Sequence, residues 1–229
     1  GFGHGRDSYI PLAKGPPSCR IGNVDEAWGP YRTMIRIRAV EDRIERLVRL
    51  GAIPGPQRLL RGMEAIAAGV CAVLDPEDRV VWSHRGIGWA IACGAPVTKV
   101  FEGCSDQGFA LCAGSGLGLG TGNYMGAIGA AIALRGSAAG RVAAIGGETD
   151  VADGALPHAW DIARARALPV LFVVVADGYT GYLESRLSPI EGSTQIEGDN
   201  AESISLATKS LLDRLPAVLW VRAYRACGM

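Results

Sequence analysis

The chain has 229 residues, of which 48% are apolar and 20% charged, and its formal net charge is zero. That length is enough to bury a substantial core in one domain, and the composition excludes a disordered or fibrous chain. Zero net charge excludes a global field that would draw the protein to nucleic acid or to an anionic membrane, and it favours protein partners.

Six cysteines (Cys19, Cys71, Cys93, Cys104, Cys112 and Cys227) have neither C-x-x-C spacing nor the density of a disulfide scaffold, so they read as thiols in a reducing compartment. The first residues lack the apolar core of a signal peptide, and no stretch has the length of a membrane span. A cytoplasmic location is the expectation that follows.

Residues 1–30 hold prolines and glycines without a sustained period and read as an irregular arm, with a single domain over 31–229. From Tyr31 to Leu50, apolar residues at Met34, Ile37, Ile44 and Leu47 predict an amphipathic helix whose charged residues form a solvated face. A break over Gly51 to Gly55 precedes a second, small-residue helix over Gly62 to Leu74, which Asp75-Pro76-Glu77-Asp78 ends. Arg79 to Trp82 then reads as a short buried strand, with His84 and Arg85 in the loop at its carboxyl end. His84 is a structural hydrogen-bonder or a reactive side chain, and Arg85 has the fork geometry that grips a phosphate.

Ile87 to Cys93 and Val97 to Glu102 predict short helices, and Gly103 to Gly122 a long loop. Its glycines at 116, 118, 120 and 122 resemble a phosphate-binding loop, although no strand precedes them. Asn123 to Leu134 predicts a helix of small residues suited to close packing.

The central unit runs from Arg141 to Tyr182. Apolar runs at Val142 to Ile145 and Val170 to Val175 read as strands, and Ala155 to Ala167 as the crossover helix between them. An acid follows each strand, Glu148 and Asp177. Neighbouring parallel strands joined this way put both carboxylates at the carboxyl edge of the sheet, where open α/β sheets bind ligands. Two carboxylates with a backbone carbonyl and phosphate oxygens suit Mg²⁺. Asp153, before Gly154 and Ala155, is placed to cap the crossover helix. Leu183 to Gly198 is polar and without period, Asp199 to Arg214 predicts a helix, and Ala217 to Ala223 a final strand. The alternation gives a doubly wound α/β domain with a mostly parallel sheet.

Taken together, Tyr31 to Gly228 resembles the alpha subunit of the thiamine-diphosphate-dependent decarboxylating component of 2-oxo acid dehydrogenase complexes, pyruvate dehydrogenase being the familiar member. MIRIRAVEDRIERLVRLGAIPG is similar to that family's first helix, LRGMEAIAAGV to its G-Q-E-A segment and VVWSHRGIGWAIACG to its Y-R-x-H-G loop. GNYMGAIGAAIAL, HAWDIARARALPVLFVVV and PAVLWVRAYRACG are similar to its glycine-rich helix, its H-E-A-x-N-x-A helix with the following strand, and its closing strand. The family's cofactor signature begins with G-D-G and ends with N-N one crossover unit later. The matching positions are Gly147-Glu148-Thr149 and Ala176-Asp177, at the same interval.

The resemblance implies a thiamine-diphosphate-binding fold, with Mg²⁺ held by Glu148, Asp177 and the backbone carbonyl of Tyr179. It also implies a diphosphate contact from Arg85, with Gly147 and Thr149 beside the cofactor and backbone groups around Gly118, Gly120 and Gly122 facing the aminopyrimidine. His84 is the candidate catalytic side chain of this chain, and the glutamate that activates the cofactor is expected from a beta-like subunit. The implied assembly is a heterodimer or a heterotetramer of two such pairs, transferring an acyl or two-carbon unit from a 2-oxo acid or ketose to a lipoyl or acyl carrier protein.

The departures are specific. Glutamate replaces the metal-binding aspartate, aspartate the second asparagine, and Arg58 the upstream histidine, while the closing G-H is Gly228-Met229. They suggest a specialised relative, such as the pyruvate-dehydrogenase-like pairs of natural-product pathways. The alternatives are a conventional 2-oxo acid dehydrogenase alpha subunit and a cofactor-free scaffold that stabilises a catalytic partner.

Overall fold

The computed structural model describes residues 24–55, 57–82, 85–107, 122–135, 140–177 and 189–223. Among them the chain order is α1 (Val24–Arg49), α2 (Glu64–Cys71), β1 (Arg79–Trp82), α3 (Gly86–Ala92), α4 (Val97–Gln107) and α5 (Gly122–Leu134). It continues with β2 (Val142–Gly147), α6 (Glu148–Ala152), α7 (Ala155–Ala165), β3 (Val170–Ala176), β4 (Thr194–Glu197), α8 (Ala201–Leu212) and β5 (Ala217–Arg222). The sheet order is β1-β2-β3-β5-β4, and every pairing is parallel. The expected α/β architecture with a parallel sheet is therefore present.

A parallel sheet buried on both faces must be apolar at consecutive positions, and successive side chains then divide between two cores. Val80 and Trp82, Ala143 and Ile145, Leu171 and Val173, and Leu219 and Val221 pack on one face with residues of α1, α2, α3 and α8. Val81, Val142 and Ala144, Val170, Phe172 and Val174, and Val218 and Trp220 pack on the other with α5 and α7. On the second face Phe172 meets Tyr124 and Trp160 edge-on, at ring-centroid distances of 5.8 and 6.1 Å. At the amino ends of β1 and β2, the buried Asp78 carboxylate accepts from the Asp75 backbone N–H and from the Arg141 backbone and guanidinium, which pins the two strands together away from the carboxyl edge.

Several elements differ from the sequence expectation. Helix α1 begins at Val24 and contains Pro30, so the helix extends seven residues into the stretch read as an irregular arm, where the prolines and glycines hide its period. Helix α2 is shorter at both ends, and α4 runs on to Gln107, taking up the start of the expected glycine loop. Strand β4 lies inside the segment read as irregular. It is an edge strand of four residues alternating between half-buried and exposed, and it lacks the apolar run that marks an inner strand. Glu148–Ala152 forms the short helix α6 where a loop was expected. The cap of α7 is Gly154 in a left-handed conformation, with no side-chain bond, so Asp153 does not cap it. Asn200 caps α8, accepting from Glu202 and Ser203.

Helices α2 and α8 touch because Gly69 has no side chain. A Cβ there would sit 2.6 Å from the Ala201 carbonyl oxygen and 2.8 Å from the Ile204 Cβ, both of them fixed groups. Gly69→Ala is expected to lower stability by about 2 kcal/mol, the range for overpacking a close helix contact, as measured by urea unfolding. No loss would mean that the helices separate freely.

Candidate active site

Three adjacent strands deliver the polar residues. In the register of β1, β2 and β3, Trp82 is level with Ile145, and Gly147 with Val175. Glu148 therefore emerges one residue past β2, Asp177 one residue past β3, and Arg85 just beyond the end of β1. The sheet thus brings together Arg85, Gly147, Glu148 and Asp177, four of the residues singled out from the sequence. His84, Gly118, Gly120 and Tyr179 lie outside the described residues, and Gly122 opens α5.

Arg85 is held on two sides. Nη1 donates to the Leu59 carbonyl at 2.7 Å, and Nη2 stands 3.5 Å from Asp177 Oδ2. Both side chains are largely shielded, at 16% and 15% exposure, so the pair is screened less than a surface ion pair. The Arg85 backbone is left-handed, with φ 60° and ψ 32°, immediately before α3. A non-glycine residue there is strained, and strain of this kind collects at ligand sites. Glycine would relax the backbone, so a guanidinium at this point is maintained against a local conformational cost.

The turn that aims Glu148 is built from below. Asp150, 2% exposed, accepts from the Gly147 backbone N–H at 2.8 Å, the third helical residue reaching back to the cap position. Gly146 permits this packing, because a Cβ on it would lie 2.2 Å from the Tyr124 hydroxyl and 2.6 Å from Asp150 Oδ2. Tyr124 is wholly buried, and its hydroxyl has no hydrogen-bond partner among the described residues. Burial and, next, the nearby Asp150 push the phenol well above its ordinary pKa, so it stays neutral. The sequence alone assigned Asp150 no role. The signal was its position three residues after Gly147.

Among the described residues no group of three or more His, Cys, Asp or Glu side chains is gathered for a metal. Two acids and a guanidinium at one sheet edge instead offer hard oxygen donors beside an anion grip, a donor set that fits a divalent cation bound together with a diphosphate.

The family model of the dehydrogenase E1 component matches residues 32–186, more than half of the chain. The chain belongs to the dehydrogenase E1 component family. Matched relatives include the alpha subunit of acetoin:2,6-dichlorophenolindophenol oxidoreductase of Bacillus subtilis, 36% identical over 40% of this chain and 28% of its own length. The probable pyruvate dehydrogenase E1 component subunit alpha of Caenorhabditis elegans is 27% identical over 95% of this chain and 58% of its own. The corresponding subunit of Zymomonas mobilis is 30% identical over 65% of this chain and 47% of its own. Each match spans less than two thirds of the relative's length. This dehydrogenase E1 family chain is alpha-like and divergent. No helix among the described residues is long and apolar enough to cross a membrane.

Proposed function

We propose that this chain is the alpha-like subunit of a two-component thiamine diphosphate enzyme and supplies the diphosphate and metal half of its site. The observation that carries the reading is the convergence of Arg85, Glu148 and Asp177 at the carboxyl edge of three neighbouring parallel strands. Glu148 and Asp177 would hold Mg²⁺ with the Tyr179 carbonyl, and Arg85 would take the diphosphate. Gly147 and Thr149 would lie beside the cofactor, and Gly118, Gly120 and Gly122 would leave backbone groups open to the aminopyrimidine.

When bound, thiamine diphosphate supplies a nucleophilic thiazolium carbon and an electron sink. The residues of this chain would bind and orient it, and a beta-like subunit would supply the carboxylate that activates it. The reaction is acyl or two-carbon transfer from a 2-oxo acid or ketose to a lipoyl or acyl carrier protein, a specialised counterpart of the 2-oxo acid dehydrogenases. The names of the relatives, pyruvate dehydrogenase and acetoin oxidoreductase, make pyruvate and acetoin the first substrates to assay. Reductive acylation of a lipoyl carrier, in which the disulfide opens, one sulfur takes the acyl group and the other is left as a thiol, would identify the conventional dehydrogenase, whereas loading of an acyl carrier protein would identify the specialised enzyme.

One observation favours a cofactor-free scaffold: the Arg85 guanidinium lies against Asp177, so a cation already faces this acid. Calorimetry of thiamine diphosphate with and without Mg²⁺, on the chain co-purified with its beta-like partner, separates the readings. Metal-dependent binding with micromolar affinity is expected, about −8 kcal/mol. Its absence in the intact assembly would overturn the enzyme reading in favour of the scaffold.

A further inference from the structure

A buried carboxyl group lies behind Arg85, outside the site itself. Glu41, on α1, is fully buried, and both its oxygens face the Leu60 backbone N–H, at 2.8 and 3.0 Å. The preceding carbonyl, that of Leu59, is the one that anchors Arg85 Nη1. The path Glu41, Leu60, Leu59, Arg85, Asp177 therefore joins the interior of α1 to the sheet edge through contacts no longer than 3.5 Å. Helix α3 closes the pocket tightly: a Cβ on Gly88 would meet Leu60 at 2.6 Å and Glu41 Oε1 at 3.3 Å.

We propose that Glu41 is a positioning residue for the diphosphate site, fixing the Leu59–Leu60 peptide that holds Arg85 in place. This rests on reading Arg85 as a diphosphate contact. The charged groups around Glu41 are accounted for. On α1, Arg38 pairs with Glu64 at 2.6 Å, while Asp42 and Glu45 pair with Arg61 of the loop that follows α1. From α2, Glu64 faces it, and α3, which brings Gly88 against it, carries no charged residue.

Burial raises the Glu41 pKa to about 8, the Leu60 N–H opposing it, with Glu64 raising it further and Arg38 and Arg61 lowering it. The folded value lies above the ordinary carboxylate value. The stabilisation by the neutral acid is thus fully present below the ordinary value and is lost as pH rises through about 8. At neutral pH glutamine is the closest mimic, since its carbonyl accepts the same N–H.

The test is calorimetric titration of thiamine diphosphate and Mg²⁺ into the assembly with its beta-like partner, for the native chain, Glu41→Gln, Glu41→Ala and each change combined with Arg85→Ala. Glu41→Ala, which orphans the Leu60 N–H, is expected to weaken binding about tenfold at pH 7, and Glu41→Gln less than about threefold. Between pH 7 and pH 9 native binding should weaken relative to Glu41→Gln, and amide exchange at residues 57–63 should speed up beyond its intrinsic hydroxide dependence in the native chain but not in Glu41→Gln. In the Arg85→Ala background, Glu41→Ala should cost almost nothing further. Equal loss in both Arg85 backgrounds, or parallel pH profiles, would overturn the inference while leaving the cofactor reading standing. No binding by the native assembly would remove both. Should Glu41→Ala fail to fold, the pH comparison with Glu41→Gln decides.

Discussion

Replacing Asp177 by alanine is expected to weaken Mg²⁺-dependent thiamine diphosphate binding about a hundredfold, the upper range for disturbing a metal's surroundings, while assembly with the beta-like partner survives. Asp177 stands beyond the buried strand β3 at the sheet edge, so its loss opens no core cavity. It would remove one hard oxygen donor and leave Arg85, among the described residues, its hydrogen bond to the Leu59 carbonyl. Asp177→Asn makes the sharper comparison. It keeps an oxygen donor, drops one negative charge beside an anionic cofactor and releases the guanidinium from its ion pair, so binding should equal or exceed that of the native chain. Titration calorimetry measures affinity, and size-exclusion chromatography measures assembly. Native affinity in Asp177→Ala would remove this residue from the metal site, and loss of assembly would give it a structural role.

Gly146→Ala should be the most damaging small substitution, costing about 3 kcal/mol, the upper range for overpacking. The added carbon would meet the Tyr124 hydroxyl at 2.2 Å and Cζ at 2.5 Å, and the Asp150 carboxylate at 2.6 Å. Tyr124 is packed against Phe172 with no exposed surface, so it has nowhere to retreat. Asp150 moves only by releasing the Gly147 N–H that shapes the turn before Glu148. Cofactor binding should therefore fall together with stability. Tyr124→Phe removes the nearest atom and should restore part of the loss. On its own that change should be neutral or stabilise by about 1 kcal/mol, because it deletes a buried hydroxyl without a partner among the described residues. Urea unfolding of the three variants checks this, and additive costs would show that the two residues do not collide.

The inner strands were legible because a doubly covered parallel sheet writes itself as apolar runs: Arg79 to Trp82 was read to the residue, and Val142, Val170 and Ala217 each began where expected. The acids after β2 and β3 were legible by the same logic, since strand order and crossover alone put Glu148 and Asp177 at one edge. Less legible was whatever depends on contacts distant in the sequence. Glu41 looked like one acid of a solvated helix face, yet Leu60 and α3 bury it completely. Asp78 looked like a turn residue, and its carboxylate ties β1 to β2 through Arg141. Edge strand β4 has too little apolar sequence to announce itself and exists because β5 offers it a free ladder. In each case tertiary partners decide, and no local period encodes them.

Arg85, Glu148 and Asp177 follow the ends of three separate strands, so a molecule gripping all of them would act as a noncovalent cross-link over β1, β2 and β3. By mass action, ligand at a hundred times its dissociation constant would add about 2.7 kcal/mol to the unfolding free energy. That increment would be felt by the whole sheet, because local opening of any one strand would forfeit the grip. Saturation should consequently slow amide exchange along all three strands together, including residues far from the edge, and would make cofactor supply a determinant of how long the chain resists proteolysis.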